Sequence, residues 1–407
     1  MNIWLINHYA VPPKYYPLAR TTNFAKYLMR MGHTVTIFAA SSVHNSDLNL
    51  ITDDSLYRED TVDGIRYVYV RCRSYRGNGK QRIINMFEFS RRLPQVVKHY
   101  DRPDAVLASS ATPPACMAGL RIAKKYGARA VAEISDLWPL SFVDYGMISA
   151  KNPALIPMYA YEKRMYQYAD AVIFTMEGAY DYIVEKGWDK DIPKEKVHYI
   201  NNGVDLELFR YNREHYQIED EDLNNPDIFK VVYTGSIRKV NNLGLLLDAA
   251  KEVKDPKVKF LVWGDGDELS ALRQRVIDED IQNVVFKGRV EKKYVPHIVS
   301  ESSLNIAHNT PSLLFRFGIS FNKIFDYMAA EKPILSDFPC PYNPAEMCGA
   351  GRAVEKATAK NIAAEIEYMT NLPVEKYNEY CNNAALAAVK YSFEELTKQL
   401  LTVIGGE

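Results

Sequence analysis

The chain has 407 residues, too long for one ordinary domain and comfortable for two. Hydrophobic residues make up 47% and charged residues 25%, the mix of a globular protein, and a net charge of -1 gives no electrostatic drive toward nucleic acid. Five scattered cysteines (Cys72, Cys116, Cys340, Cys348, Cys381) show neither CxxC nor Cys/His ligand spacing, which argues against a zinc site or a disulfide scaffold and for a reducing cytoplasm.

The opening MNIWLINHYAVPP has no basic n-region, so it is not expected to be a signal peptide. No apolar run approaches the roughly 18 residues of a membrane span. NIWLIN (2–7) predicts a strand, followed by a helix near Thr21–Met31 and the strand TVTIFAA (34–40). IRYVYVR (65–71), DAVLAS (104–109), ARAVAEIS (128–135), ADAVIFTM (169–176) and KVHYINNG (196–203) continue the strands, with a helical stretch at 114–126. A polar stretch at 215–227 intervenes, its acidic run Glu219–Asp222 expected to be solvated. The pattern then restarts with FKVVYTGS (229–236), VKFLVWGDG (258–266), NVVFKGR (283–289), LNIAHN (304–309) and KPILSD (332–337). An amphipathic helix, SFEELTKQLLTVI (392–404), closes the chain. Such alternation implies parallel sheets with helices on both faces: two Rossmann-like domains, 1–203 and from 204 onward. Ligands of such sheets bind at the carboxyl ends of the strands.

The familiar phosphate motifs are missing. The loop after the first strand, NHYAVPPKYYP, has no glycine, and Gly264-Asp265-Gly266 has Leu269 at the third glycine position. No G-x-x-x-x-G-K-[ST] occurs. Asp265-Gly266-Asp267 fits a turn better than a metal-binding D-x-D.

The segment FNKIFDYMAAEKPIL (321–335) reads as a helix entering a strand. Phe321, Ile324, Phe325, Met328 and Ala329 form its apolar stripe, with Asn322, Lys323 and Asp326 on the other side. Ser320 is the expected N-cap, and Gly318 lets the preceding loop bend. An ammonium, a carboxylate and free N–H groups at one helix start suit an anion carrying hydroxyls, such as a sugar nucleotide. The plainer alternative is a solvated face with a weak Lys–Asp pair.

From Arg71 to Arg102 nine basic residues (Arg71, Arg73, Arg76, Lys80, Arg82, Arg91, Arg92, Lys98, Arg102) face only Glu88 and Asp101, a net +7. Ile83, Ile84, Met86, Phe87 and Phe89 are interleaved with them. This stretch could lie on an anionic membrane or be an ordinary helix with one side in the core.

Several segments together carry a family likeness: NHYAVPP (7–13), GHTVTIFAASS (32–42), ISDLWPLSFVDYG (134–146), EKRMYQYADAVIFTMEGA (162–179), NNGVDLELF (201–209), YTGSI (233–237), WGDGDE (263–268), FKGRV (286–290) and FRFGISFNKIFDYMAAEKPIL (315–335). In this order they resemble the retaining glycosyltransferases of family 4, which have the GT-B fold. The likeness is to the bacterial branch that includes N-acetylfucosamine transferases of O-antigen and capsule assembly.

The resemblance implies an α/β GT-B architecture, two Rossmann-like domains facing across a cleft, with the donor domain ending at 384 and 385–407, including the closing helix, returning to the first. It implies transfer of a hexosyl or N-acetylhexosaminyl group from a nucleotide sugar, a UDP-sugar favoured, to a lipid-diphosphate-linked glycan. It also places the protein in the cytoplasm, peripheral at the inner face of the membrane. Donor contacts are expected from Gly235, Arg238, Lys239, Arg289, Val290, Gly318, Ile319, Ser320, Asn322, Lys323 and Asp326. Asp326 matches the second acid of the family's E-x7-E and would hold the ribose, whereas Gly318 stands where the first acid belongs. The family's diphosphate Arg and Lys fall on Ser236 and Asn241, so Arg238 and Lys239 are their nearest replacements. Pro12, Pro13 and Lys14 stand where relatives carry a Gly-Gly pair, and Asp136 where many carry His.

Catalytic roles fall to Lys323 as charge stabiliser and to Asp136 and His8 as positioning groups. Asp136 could instead cap the next turn, and His8 could be a satisfied strand-end histidine. Lys14, Arg20, Arg82, Arg91 and Arg92 are candidates for the acceptor or the membrane. No cofactor is required on this view, Mg²⁺ being admissible but not needed, and no nucleic acid is a partner. The rivals are a sugar-nucleotide 2-epimerase of the same fold and a non-catalytic glycan-binding subunit.

Overall fold

The computed structural model describes residues 1–15, 19–77 and 79–406. The chain forms two compact units, one of residues 1–201 together with the segment from Phe393 onward, the other of residues 202–392.

The first unit is built on an eight-stranded sheet. Its strands are β1 (Asn2–Ile6), β2 (Thr34–Ala40), β3 (Tyr57–Val62), β4 (Ile65–Val70), β5 (Ala105–Ser109), β6 (Arg129–Ile134), β7 (Ala171–Phe174) and β8 (Val197–Tyr199). They lie in the order β3-β4-β2-β1-β5-β6-β7-β8. All neighbours are parallel except β3 and β4, which form a hairpin. The central strands are continuously apolar because helices cover both faces; Ile3, Trp4, Leu5 and Ile6 are all buried. β3 escapes a hydrophobicity-based reading because YREDTV is a half-exposed, charged edge strand. Its turn is nevertheless legible, since Asp63 and Gly64 both have positive φ (52° and 78°), as a two-residue hairpin loop requires.

The second unit carries β9 (Phe229–Ser236), β10 (Val258–Asp265), β11 (Val284–Gly288), β12 (Leu304–Ala307), β13 (Ile334–Ser336) and β14 (Gly351–Ala353). This six-stranded sheet has the order β11-β10-β9-β12-β13-β14 and is parallel throughout. β14 is three residues long and was not expected. The acidic run is not simply solvated: Lys287 Nζ lies 2.7 Å from Asp220 and 2.6 Å from Asp222, and Lys259 Nζ 2.5 Å from Asp222.

The return to the first unit comes at Phe393 rather than at 385. The helix Val374–Lys390 stays with the second unit, where Ala384, Ala387 and Ala388 are buried, and Tyr391 packs on Phe325 with ring centroids 5.2 Å apart. The helix Phe393–Gly405 then buries Phe393, Leu396, Leu400, Val403 and Ile404 in the first unit. Phe393 meets Phe24 edge-on at 5.5 Å, and Arg129 Nε donates to the Val403 carbonyl at 2.9 Å.

Each sheet has a switch point where successive crossovers leave in opposite directions: beside β1, between β2 and β5, and beside β9, between β10 and β12. These points fix where ligand groups converge.

Leu400 is 1% exposed, so Leu400→Ala removes buried methyl groups and leaves a cavity. The expected loss is about 2–5 kcal/mol of first-unit stability, read as a lower urea midpoint of the corresponding unfolding transition.

Candidate active site

In the second unit, chemistry gathers at the carboxyl ends of β9, β12 and β13. The helix Asn322–Ala329 starts there. Its N-cap is Phe321, not Ser320, and no side chain caps it, so its first N–H groups keep no helical partner. Ser320 is occupied otherwise: its carbonyl accepts from Asn202 Nδ2 at 2.8 Å and its hydroxyl from the Asn202 N–H at 3.4 Å.

Lys323 does not sit on a solvated face, nor does it pair with Asp326. Its Nζ lies 4.3 Å from the centroid of the Tyr233 ring. A Cβ on Gly235 would stand only 3.0 Å from that nitrogen and 2.9 Å from Tyr233 Oη, so glycine is what leaves room for the ammonium. Burial lowers the Lys323 pKa to about 8, opposed by the charge of Asp337. Asp326 is half-buried, and its carboxyl is pushed up by crowding, offset by Lys292.

Tyr233 is held by donating to the Ser236 carbonyl at 2.9 Å. The Tyr327 hydroxyl accepts from the Thr234 N–H at 3.1 Å, which joins the helix to β9. Gly264 and Gly266 bring β10 against this edge: a Cβ on either would fall about 2 Å from a backbone oxygen, of Gly235 and Ile237 respectively. Close backbone approach therefore accounts for both glycines of the GDG turn.

Two residues absent from the sequence-based candidates complete this edge. His308 follows β12, Asp337 follows β13, and they form a fully buried ion-pair-type contact through His308 Nδ1. His308 Nε2 has no hydrogen-bond partner. Both stand directly after a strand, the position at which ligand groups are expected in such sheets, and that rule applied to LNIAHN and KPILSD would have found them.

Arg238 and Lys239 are exposed just beyond β9. Arg289 is exposed and Val290 half-buried after β11, two strands from β9 and hence about 10 Å to the side. Gly318, with φ 106°, closes the short helical turn Leu313–Phe317, and Ile319 is buried after it. Asn322 is exposed.

In the first unit, His8 follows β1 and is 1% exposed. Asn85 donates through Nδ2 to Ser42 Oγ at 2.7 Å and to the Arg73 carbonyl at 2.5 Å. Its carbonyl oxygen is thereby turned to His8 Nε2, 2.6 Å away, so Nε2 carries the proton and donates. Burial lowers the His8 pKa to about 3, so the ring is neutral at physiological pH and leaves Nδ1 as a buried acceptor without a partner. His8 thus offers a hydrogen-bond acceptor and no acidic proton.

Asp136 follows β6. It is exposed at the wall of a cavity, crowded enough that desolvation raises its carboxyl pKa against the pull of Arg82. The next short helix, Leu140–Asp144, is capped by Pro139 without any side-chain bond, so Asp136 does not cap it.

The basic candidates divide. Arg20 is a tie inside the unit, bonded to Glu133 at 2.8 Å and to the Ile200 and Asn201 carbonyls at 2.9 and 2.5 Å. Arg92 donates to the Arg71 carbonyl at 2.5 Å. Arg71 and Arg76 pair with Asp54 and Asp47, acids from outside the segment that neutralise part of its +7, and Arg73 pairs with Glu88 within it. Lys14 and Arg91 are exposed, and Arg82 is half-buried with its Nε 3.0 Å from Tyr9 Oη.

Family models match residues of both units. Residues 19–208 match the family model Glycosyltransferase Family 4, and residues 228–371 match Glycosyl transferases group 1. The chain has the GT-B fold of these glycosyltransferases. It is 26% identical over 209 residues to TuaH of Bacillus subtilis, whose name refers to teichuronic acid biosynthesis. That match spans 50% of this chain and 49% of the relative, about half its length. Among solved structures it resembles Anabaena HepE in complex with UDP, at 14% identity and a TM-score of 0.66 over 100% of both chains. It also resembles sucrose-phosphate synthase of Thermosynechococcus elongatus, at 15% identity and a TM-score of 0.70 over 100% of this chain and 98% of that one. At these identities the likeness is one of fold.

The buried neutral imidazole makes the first unit acid-sensitive. His8 titrates near 3 when folded and near 6.5 when unfolded. The unfolded chain alone takes up its proton between these values, so stability falls as pH drops through that window. His8→Gln should flatten the acid limb of first-unit stability between pH 6.5 and 4, measured by urea unfolding at a series of pH values.

Proposed function

We propose that this glycosyltransferase moves a hexosyl or N-acetylhexosaminyl group, with retention, from a UDP-sugar to a lipid-diphosphate-linked glycan in bacterial surface-polysaccharide assembly. The observation that carries the donor assignment is Lys323: a crowded ammonium with no ion pair among the described residues, beside an uncapped helix start at the β9 switch point. Such a cation is costly unless an anion completes it. The UDP bound in HepE and the teichuronic acid connection of TuaH support the donor class and the type of pathway.

On this reading the diphosphate rests on the Lys323 ammonium and the N–H groups of Asn322 and Lys323, with Arg238 and Lys239 at the rim. Asp326 accepts from the ribose hydroxyls. As the bond between the anomeric carbon and the phosphate oxygen breaks, negative charge grows on the leaving diphosphate, where these donors stabilise it most. The acceptor hydroxyl attacks from the same face and gives its proton to the departing phosphate oxygen, so configuration is kept. Fixed cations carry out the charge stabilisation, and no metal is needed. Neutral His8 and Asp136 orient the acceptor.

The test is UDP binding by calorimetry from pH 6.5 to 9.5. Lys323 binds a diphosphate as the cation, so affinity should fall as pH rises through about 8, with proton uptake on binding above that value. Lys323→Met should bind weakly at every pH and lower kcat/KM about 10²–10³-fold, as loss of one charge-stabilising donor does. If Lys323→Met and Asp326→Ala both keep wild-type transfer and UDP affinity, the donor assignment is wrong.

A further inference from the structure

The cavity in the first unit has a volume of about 400 Å³ and lies beside Asp136. Its walls are hydrocarbon: Met86 and Phe87 from the helix Lys80–Val96, Phe142, and Met158 and Met165 from the helix Leu155–Tyr168. A sheet-edge pocket of this kind would ordinarily invite a phosphate onto the next helix start. Here that start is Pro113-Pro114, the first two positions of the helix Pro113–Tyr126, and proline has no N–H to offer. The one carboxyl in the interior is spent. Glu162 is 3% exposed and accepts from the hydroxyls of Tyr166 and Tyr182 at 2.6 and 2.7 Å. The polar atoms that remain are few: Asp136 at the wall, and the buried, unpartnered Ser110 Oγ and Trp138 Nε1.

The helix that supplies Phe87 also shows what surrounds the opening. Its core stripe is Asn85, Phe89, Leu93 and Val96. Lys80, Ile83, Ile84, Phe87 and Arg91 recur at helical spacing on the opposite, exposed side, with Phe87 60% and Ile83 53% exposed. An apolar stripe between two cations is unfavourable in water and complementary to an anionic amphiphile. Arg82, one residue before that stripe, acts electrostatically on Asp136 and His8.

We propose that this cavity seats the first isoprenoid segment of the lipid-linked acceptor, with the acceptor's diphosphate toward Arg82 and its sugar toward Asp136. The enzyme then recognises the hydrocarbon itself and does not merely meet its substrate at a membrane surface. The proposal rests on the lipid-linked acceptor reading and adds to it the residues that hold the chain.

The probe is farnesyl diphosphate, three isoprene units on a diphosphate, with inorganic pyrophosphate as the matched headgroup, followed by titration calorimetry in saturating UDP, which fills the proposed donor site. Met158→Trp fills the cavity, and Phe87→Ser strips hydrocarbon from its wall without adding charge. Met158 is half-buried and Phe87 exposed, so both changes are compatible with folding, which an unchanged urea midpoint for the first unit verifies. Farnesyl diphosphate is expected to bind at least tenfold tighter than pyrophosphate, and each variant should lose that tenfold while pyrophosphate binding stays put. Equal affinities of the two probes, or variants that bind farnesyl diphosphate like wild type, overturn the proposal. Transfer assays separate the two readings. A prenyl-dependent acceptor whose use is indifferent to Met158→Trp keeps the acceptor reading and discards the cavity. Tight, variant-sensitive prenyl binding alongside equal transfer to non-lipid acceptors keeps the cavity and discards the acceptor reading.

Discussion

A lysine held against an aromatic face, with no carboxylate bonded to it among the described residues, organises the donor-side edge of the second unit. Lys323 needs three things at once: the ring of Tyr233 beneath it, the missing side chain of Gly235 beside it, and the distant negative charge of Asp337. They come from two strand ends. Tyr233 and Gly235 close β9, and Asp337 follows β13. Gly264 and Gly266 let β10 press against the same edge without steric conflict. The parallel sheet is what brings these separate stretches of sequence to one line, because every strand ends on the same side.

The first unit solves the opposite problem. Its switch point beside β1 presents a neutral imidazole, fixed by an asparagine whose own donors are already committed. Nearby the walls are hydrocarbon, a helix start has lost its N–H donors to proline, and a carboxyl is satisfied by two phenols. One sheet edge thus presents a crowded ammonium and the other a neutral imidazole and hydrocarbon walls, although both use the same architecture.

Much of the fold was legible in the sequence because parallel strands between helices are short apolar runs, and LIN, TIFAA and VVYTGS announce themselves. What was hidden follows from edges and ends. β3 is charged because one side of it meets water, and β14 has only three residues. The helix at 322–329 could be read with its Lys and Asp, but its cap could not, since Ser320 is drawn away by Asn202, more than a hundred residues earlier. The basic segment looked like a single field because Asp47 and Asp54, which neutralise Arg76 and Arg71, precede it in the chain. His308 and Asp337 went unnoticed because neither belongs to a spaced motif; only the pairing of β12 with β13 makes them neighbours.

The position of the last helix has a consequence for how the molecule is made. Residues 202–392 are contiguous, whereas the first unit is interrupted by all of them and is completed only by Phe393 and the residues after it. As the chain emerges from the ribosome, the second unit can close on its own as soon as its residues are out. The first sheet must wait with the seat of Phe393, Leu396 and Leu400 open, and its final contacts close a loop of nearly two hundred residues. Once the second unit has folded, that loop is a rigid body with fixed ends rather than a flexible chain, so its early folding removes most of the closure entropy that the first unit would otherwise face.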